Sequence, residues 1–367
     1  MTDTPPLLVA DTPNLVDQYC HGLVREELGL ATFEARLGRG SPAQGTTFFD
    51  SRTGFAVRRW CPPLLGLEPH CPPAAYLARR RELGVLESGR RLLRAGGIAA
   101  HLVDTGTAEE LTAPPELAAA GGTVAREVVR LEHLAEQVAD TSGTAEAFLA
   151  NLSEAVHAVS VTAAAFTCVS GPGEDAASAG TPPGPGAVRA AAATWLAGRA
   201  AGARLAEPVL VAHLCWVALT TGRPLQLHAL PGPRRAAALT AFAGATAGLG
   251  TDVVLLGGGG PHDHTARLAA LHPHVYAGIG PVDPYGGPPV RDALAGALER
   301  APFGKLMYAS GAGGLPELHV VAAREFHQAL DEVIGGKVAQ GAWSARDGRR
   351  VARMIAAENA RRVYGLD

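Results

Sequence analysis

The sequence has few aromatic residues, few cysteines and no marked excess of either charge. Phe, Trp and Tyr make up 5% of the 367 residues and hydrophobic residues make up 47%, so the core has to be built from aliphatic and small side chains. The formal net charge is -3 and no basic stripe occurs, which argues against a nucleic-acid partner. The five cysteines are scattered and do not resemble a disulfide framework.

Long apolar runs and targeting signals are also missing. No stretch reaches the roughly 18 uninterrupted apolar residues of a membrane span, which argues against a membrane partner. Residues Met1–Pro6 do not form a basic segment followed by an apolar run, so no signal peptide is expected. Together with the cysteine pattern, these features predict a cytoplasmic protein, and a homodimer is the general expectation for a soluble oligomer.

Short apolar runs alternate with longer stretches in which apolar residues recur every three or four positions. This alternation is typical of parallel strands joined by helices. Eight such strands predict an α/β fold, a (β/α)8 TIM barrel that forms a single domain over residues 1–367, with an open doubly wound sheet as the alternative. The predicted strands are Leu15–His21, Ala99–Gly106, Glu127–Glu132, Val159–Val169, Leu225–Leu230, Val253–Gly257, Val275–Ile279 and Lys305–Ser310.

Two segments interrupt the alternation. Residues 25–94 form a long insertion after the first strand, with a helix around Arg79–Gly84, and we predict a helical lid over the barrel mouth. Residues Gly171–Gly186 are rich in Gly, Pro, Ala and Ser, which predicts a mobile loop after strand four. The basic, amphipathic stretch Ser344–Tyr364 predicts a surface helix that packs on the barrel.

In a TIM barrel, the chemistry is carried by residues at the C-terminal ends of the strands. Tyr19 and His21 at the end of strand one share a face, and Cys20 takes the other. Glu132 is the one carboxylate that the predicted strands place near the mouth, so it is the candidate catalytic base, with Arg130 as its buried ion-pair partner. The polar residues that end strands four and five are Thr167 and His228.

Several segments resemble the amidohydrolase-related family, in the branch related to the hydrolase half of some glutamine-synthetase fusion proteins. Leu306–Leu318 is similar to the family's last strand and the loop after it, and Leu15–Gly22 is similar to its first strand. The other similar segments are Pro224–His228 (strand five), Pro273–Tyr276 (strand seven) and Ala357–Tyr364 (the C-terminal helix). The similarity runs from the first strand to the end of the chain and implies the same barrel.

The resemblance also implies where a metal would be held. The family binds metal through a His-x-His pair on strand one, a residue on strand four, histidines on strands five and six, and an Asp on strand eight. His21 and His228 stand at two of these positions and are the implied remnant metal ligands. The positions that differ are Tyr19, Thr167, Gly257 and Gly311. A catalytic zinc usually has three protein ligands, so the remaining pair implies either no cofactor or one zinc or other divalent metal.

The candidate substrate pocket is built from the same strand ends. Its predicted lining residues are Thr167, His262, Gly311 and Gly313. Because Gly311–Gly314 precedes a helix, its backbone N–H groups could also hold an anion. The family implies a small-molecule ligand that contains an amine or an amide.

Two functions compete at this site. The first is a small-molecule-binding or regulatory protein that no longer hydrolyses C–N bonds. The alternative is an active hydrolase or lyase in which acid–base roles fall to Tyr19, His21, Glu132 and His228, with or without one weakly held metal. His21 and His228 could equally be hydrogen-bonded histidines of the barrel interior. A third hypothesis is a scaffold subunit that pairs with an active paralogue.

Three further patterns have a structural explanation beside a chemical one. Gly257–Gly260 could hold a phosphate, but it lacks the spacing of the known glycine-rich motifs, which favours a tight turn. Asp263 between two histidines could mimic a metal cluster, although a helix cap is favoured. Cys61, His70 and Cys71 have the spacing of no common zinc site.

Overall fold

Eight parallel strands form one sheet in which each strand pairs with its neighbour in sequence. The computed structural model describes residues 14–38, 40–107, 110–199, 203–229, 232–257, 262–280 and 289–366, without the side chains of residues 262 and 263. The strands are β1 (Leu15–Cys20), β2 (Ile98–Asp104), β3 (Val124–Arg130), β4 (Ala165–Cys168), β5 (Leu225–Ala229), β6 (Val253–Gly257), β7 (Val275–Ile279) and β8 (Leu306–Tyr308).

Hydrogen bonds also join the ends of the first and last strands. The backbone N–H of Gly311 donates to the carbonyl of Tyr19 at 2.9 Å, and that of His21 donates to the carbonyl of Ala312 at 2.7 Å. Eight parallel strands that meet in this way, with helices between them, form a TIM barrel. The predicted fold class is therefore confirmed, and the open doubly wound sheet is wrong.

Helices connect the strands and pack around them. They are α1 (Leu30–Gly38), α2 (Arg52–Leu64), α3 (Pro73–Ala95), α4 (Pro114–Gly121), α5 (Leu131–Asp140), α6 (Ala145–Ser160), α7 (Ala176–Ala179), α8 (Pro185–Gly198), α9 (Pro208–Leu219), α10 (Pro233–Ala245), α11 (His262–Leu271), α12 (Val290–Leu298), α13 (Pro316–Ala339), α14 (Ala345–Arg353) and α15 (Asn359–Tyr364). No described helix is long and apolar enough to cross a membrane.

Alternate residues of the strands divide the hydrophobic interior into two layers, as the two-residue period of a strand requires. The outer layer lies between the strands and the helices and includes Leu15, Val129, Phe166, Leu227 and Leu255. The inner layer fills the barrel and includes Val16, Leu102, Val128, Val254 and Met307. Tyr19 belongs to the inner layer and Cys20 lies among outward residues, so the predicted division of these neighbours is confirmed.

The C-terminal segment closes the N-terminal end of the barrel. A π-helical turn, Met354–Glu358, joins α14 to α15, and Tyr364 of α15 reaches the barrel interior. The hydroxyl of Tyr364 donates to Gln18 Oε1 at 2.7 Å and accepts from Gln226 Nε2 at 2.9 Å. The predicted surface helix is therefore buried in part: the small apolar side chains of its last residues pack against the inner layer of the barrel.

The insertion at residues 25–94 is helical, as predicted, and is anchored to the barrel by a buried ion pair. Arg80 of α3 places its Nε 3.0 Å from Glu317 Oε1 of α13, and these side chains are 2% and 0% exposed. The hydroxyl of Tyr76 donates to the same oxygen at 2.6 Å. The role of the insertion as a lid over the barrel mouth stays a prediction.

The predicted limits of β6 and β7 are confirmed. The limits of the third and fourth predicted strands differ, because there a helix adjoins the strand and no turn-forming residue separates the two. Glu132 lies in α5 rather than in strand three, because the helix begins at Leu131 directly after β3. The first residues of the predicted fourth strand belong to α6, which ends at Ser160. The predicted loop Gly171–Gly186 contains the short helix α7.

Candidate functional site

A tyrosine, a carboxylate and an arginine form a hydrogen-bonded network at the C-terminal ends of the first three strands. The hydroxyl of Tyr19 donates to Asp104 Oδ2 at 3.0 Å. Arg130 donates to the same oxygen from Nε at 3.1 Å and from Nη2 at 2.5 Å. The backbone N–H of Gly106 donates to Asp104 Oδ1 at 2.9 Å. A Cβ at Gly106 would lie 2.3 Å from Arg130 Cβ, so only glycine leaves room for the arginine here.

In this network, the buried negative charge of Asp104 is paired with the positive charge of Arg130. Burial opposes the ionisation of Asp104, but His21, Arg130 and the N–H of Gly106 outweigh it and keep the pKa of Asp104 below its ordinary value. Burial opposes the positive charge of Arg130, whereas Asp104 favours it through its own charge and its hydrogen bonds. The net result is that the pKa of Arg130 is raised. Burial and the charge of Asp104 raise the pKa of Tyr19 well above 10, so its phenol stays protonated.

The two implied metal ligands, His21 and His228, flank the ring of Tyr19. Their ring centroids lie 5.2 Å and 5.0 Å from that of Tyr19, and both contacts are edge-on. His21 Nδ1 lies 3.1 Å from the backbone carbonyl of Asp104. His228 Nε2 and the Thr167 hydroxyl oxygen are buried and have no hydrogen-bond partner within the described part of the chain. The structure thus brings the predicted strand-end residues of β1, β4 and β5 to one side of the barrel interior.

His228 is neutral at physiological pH. Its pKa is lowered from 6.5 to about 3: burial is the largest cause, the charge of Asp104 opposes the shift, and Arg130 and His21 add to it. Because the folded pKa lies below that of the unfolded chain, the stability from neutral His228 is complete above pH 6.5. It is lost as the pH falls toward about 3.

Replacing His228 by Gln should therefore make the protein less sensitive to acid. The variant removes one proton from the unfolding equilibrium, so its unfolding free energy should fall less steeply below pH 6.5, by up to about 1.4 kcal/mol per pH unit. Urea denaturation at several pH values, in the presence of a chelator, measures this slope. His157→Gln is the matched control and should keep the wild-type profile because the side chain of His157 is exposed. Equal slopes for wild type and His228→Gln would contradict the burial of a neutral imidazole.

A cavity of about 840 Å³ opens beside this network, at the mouth of the barrel. Arg130 reaches it from β3, and Arg36 reaches it from α1 of the insertion. Glu26 supplies an exposed carboxylate at its edge. The other polar lining residues are His21, Thr32 and Thr107. The cavity therefore combines two guanidinium groups and one carboxylate in a volume typical of small-molecule sites, which is about 300–1,000 Å³.

The predicted pocket glycines border this cavity, but they do not form an anion-binding loop. Gly311 and Gly313 both line it, and a Cβ at Gly313 would lie 2.6 Å from His21 Cβ. Four backbone N–H groups of this loop are already used: Gly311 donates to Tyr19, Ala312 to the Ser310 hydroxyl, Gly314 to Gly22, and Leu315 to Gly313. The loop therefore serves to join β8 to β1 and to let the chain approach His21 closely.

Glu132, the predicted base, is not hydrogen-bonded to the Tyr19 network. Its Oε1 accepts the backbone N–H groups of Val169 and Ser170, each at 2.8 Å, and the Cys168 thiol at 3.3 Å. The predicted ion pair with Arg130 is wrong, because Arg130 pairs with Asp104. Glu132 instead holds the segment that follows β4.

The remaining predicted residues lie elsewhere. His264 Nε2 is 3.0 Å from the carbonyl of Ala236 in α10, so it ties two helices together. The side chain of His262 and the run 258–260 lie outside the described residues. Among the residues that are described, Cys61, His70 and Cys71 do not form a group of metal-ligand atoms, in agreement with their spacing in the sequence.

Asp104 is the residue of the Tyr19 network that the sequence interpretation missed. The two-residue period of β2 could have predicted the position of Asp104. Ala100 and Leu102 face the barrel interior, so Asp104, two residues further at the end of the strand, faces it as well. Asp104, rather than Glu132, is the carboxylate of the barrel mouth.

Comparisons with known proteins agree with this architecture. No family model matches the chain. Protein fluG of Emericella nidulans is 30% identical over 118 residues, which are 32% of this chain and 14% of that protein. The matched region therefore spans a small part of that relative's length.

Three solved structures share the fold over nearly the whole chain. A Lactobacillus casei protein described as an inferred metal-dependent hydrolase superposes with a TM-score of 0.79 at 19% identity and covers 97% of this chain and 96% of its own. Uronate isomerase from Thermotoga maritima gives 0.67 at 13% identity, with coverage of 97% and 96%. Glucuronate isomerase from Caulobacter crescentus gives 0.64 at 11% identity, with coverage of 98% and 92%. At these identities, the likeness shows a shared TIM-barrel fold.

The residues at the mouth do not fit the divalent metal that such barrels imply. His228 offers one free nitrogen, but the phenol of Tyr19 is committed to Asp104, and the carboxylate of Asp104 is committed to Arg130. The guanidinium of Arg130 would stand beside a dication and repel it. Leu256, rather than Gly257, continues the inward row from Val254, so β6 supplies an apolar side chain at its inward end.

Proposed function

We propose that this protein binds a small amino-acid-like molecule at the barrel mouth and does not carry out metal-dependent C–N hydrolysis there. The observation that carries the proposal is the network of Tyr19, Asp104 and Arg130 between the two retained histidines. It puts a protonated phenol and a guanidinium where a catalytic metal would need anionic or imidazole ligands. Asp104 cannot readily serve as a base for water, because its charge is held by Arg130.

The cavity contains the groups that would recognise such a ligand. Arg130 uses Nε and Nη2 for Asp104, which leaves Nη1 directed to no acceptor among the described residues. Guanidinium groups bind carboxylates through paired N–H donors, so Arg36 and Arg130 suit a carboxylate. Glu26, at the exposed edge, suits an ammonium group. A ligand with both charges would match the cavity better than a simple anion.

A second candidate is an enzyme with rebuilt acid–base chemistry. The specific observation in its favour is that His228 Nε2 and the Thr167 hydroxyl are buried and unpartnered within the described residues. Buried polar atoms without partners are costly, and a bound substrate would satisfy them. This function would rest on His228 and Tyr19 without Glu132, which is engaged elsewhere. It predicts that His228→Ala abolishes turnover, whereas a binding protein shows no turnover to lose.

Binding measurements with matched ligands test the proposal. The common amino acids are titrated into the protein by calorimetry, and each binder is compared with its N-acetyl derivative and its amide. We expect both derivatives to bind at least about tenfold more weakly, because each lacks one charge that the cavity matches. Arg36→Gln should weaken carboxylate binding by a similar factor.

Arg346→Gln is the matched control for this experiment. Arg346 is an exposed arginine of α14, at the opposite end of the barrel, so this variant should bind like the wild type. Equal affinity for charged and uncharged forms, or equal affinity in Arg36→Gln and wild type, would contradict the proposed mode of recognition. Release of ammonia or cleavage of the amide would move the enzyme hypothesis to the front.

A further inference from the structure

A second group of metal-binding side chains lies outside the barrel interior, between β1 and α13. Ligand atoms of Asp17, Cys20 and His319 all lie within 4.8 Å of one another, and the three residues are buried. They come from the outward face of β1 and from the first turns of α13. This cluster is separate from the mouth, where the rings of His21 and His228 meet Tyr19.

His101 of β2 lies beside the cluster, although its ring nitrogens are not within 4.8 Å of all three of the other ligand atoms. It pairs with Asp17 in the register of β1 and β2, so their side chains are neighbours on the outward face. Its ring meets that of His319 edge-on, with centroids 5.7 Å apart. His101 Nδ1 lies 3.2 Å from the Thr123 hydroxyl, whereas its Nε2 is buried without a partner among the described residues. This is the usual arrangement of a metal-binding histidine, in which the second nitrogen is fixed by a polar neighbour.

Three unpartnered imidazole nitrogens in one place call for an explanation. Both ring nitrogens of His319 are buried, and neither has a hydrogen-bond partner in the part of the chain described. The backbone of His21 lies close enough to the His319 ring to oppose the lowering of the pKa of His319 by burial, but the contact does not reach the distance and angles of a full hydrogen bond. A buried polar atom normally finds a partner because leaving it unsatisfied is destabilising. The nitrogens of His101 and His319 are therefore best explained by a ligand that accepts lone pairs.

We propose that Asp17, Cys20, His101 and His319 bind one zinc-like divalent cation. A thiolate and a carboxylate bring two negative charges, so a dication makes the buried site neutral, which avoids the high cost of an isolated buried charge. Sulfur and imidazole ligands in a four-coordinate set favour zinc over magnesium or calcium. Asp17 already accepts from the backbone N–H and the hydroxyl of Ser310, at 2.8 Å and 2.5 Å. Oδ1 also accepts the backbone N–H of Tyr19 at 3.4 Å, so Oδ2, which accepts the Ser310 hydroxyl, is the oxygen that keeps a second lone pair for the metal.

The bound cation would have a structural role. All four residues are buried, so the site has no open face for substrate. The ligands would join α13 to β1 and β2, which are already paired in the sheet and further linked by the bond from Cys20 Sγ to the Leu102 carbonyl at 3.5 Å. Metal binding should therefore stabilise the barrel next to the mouth, independently of any ligand that the mouth itself binds.

Cobalt titration of the chelator-treated full-length protein tests the proposal. We expect uptake of one Co²⁺ per chain, with the near-ultraviolet absorption of a thiolate–cobalt bond and the visible spectrum of a tetrahedral ion. Cys20→Ser should lose the thiolate band, and His319→Gln should bind cobalt more weakly. Cys215→Ser, which changes another buried cysteine in α9, is the matched control and should keep the wild-type spectrum.

Two measurements keep the result independent of folding defects and of the mouth. Zn²⁺ should raise the Tm of the wild-type protein and of His228→Ala alike, because the proposed ligands do not include His228. Failure of the wild-type protein to take up Co²⁺ or Zn²⁺ would overturn the proposal. A thiolate band that persists in Cys20→Ser, or metal uptake that is lost in His228→Ala but kept in Cys20→Ser, would also overturn it.

Discussion

Replacing Arg130 by Met should lower the free energy of unfolding by about 3–5 kcal/mol, because the change leaves Asp104 as a buried charge without its counterion. Asp104 is 1% exposed and receives two hydrogen bonds from Arg130. Methionine keeps much of the arginine stem's volume, so the loss reflects charge rather than a new cavity. Guanidinium denaturation at neutral pH measures the effect.

Two comparisons separate the buried charge from other causes. The double variant Asp104→Leu/Arg130→Met should recover much of the loss, because removing both charges leaves nothing buried and unpaired. Arg25→Met breaks an exposed pair with Glu116, whose side chains are 49% and 45% exposed, and should cost less than about 1 kcal/mol. If Arg130→Met costs no more than Arg25→Met, Arg130 does not neutralise a buried Asp104, and the account of the mouth is wrong.

Replacing Glu317 by Gln should destabilise the protein by a similar amount, about 3–5 kcal/mol, and should loosen the insertion. Glu317 is the buried partner of Arg80, and it also accepts the hydroxyl of Tyr76. Glutamine keeps the shape but leaves the guanidinium of Arg80 without a counterion. Denaturation should show the loss of stability, and limited proteolysis should cleave residues 25–94 earlier than in wild type.

Glu87→Gln is the control on the same helix. Glu87 pairs with Arg91 at 2.8 Å on the exposed face of α3, so its removal should produce no measurable change in stability or in the cleavage pattern. Wild-type stability in Glu317→Gln would show that the insertion is not held by this ion pair. Its helices would then depend on apolar packing against α13 alone.

The barrel could be predicted from the sequence because its strands are short apolar runs with clear boundaries. β6 and β7 are bounded by polar or glycine-rich residues, and their limits agree with the prediction. β3 and β4 are not separated in this way from the helices beside them. The run from Val128 to Glu132 has no breaker, so nothing local shows that a helix begins at Leu131.

The candidate site was only partly predictable, because its network depends on pairing between strands. Tyr19, His21 and His228 end strands that the sequence shows, and the structure brings them together. The ion pair between Asp104 and Arg130 depends on the register in which β2 pairs with β3, and no local sequence pattern specifies that register. The approach of His319 to Cys20 depends on the packing of α13 against the first strand, which is distant in the sequence.

An anomalous-scattering map of crystals grown with zinc tests the central claim most directly, because it locates metal at each site separately. The account predicts no zinc between His21 and His228, where Arg130 and Asp104 are paired, and it places any bound zinc at Cys20 and His319. Zinc on the nitrogens of His21 and His228, with Arg130 displaced from Asp104, would contradict it. The mouth would then be a metal centre, and the proposal that no metal-dependent chemistry takes place there would be wrong.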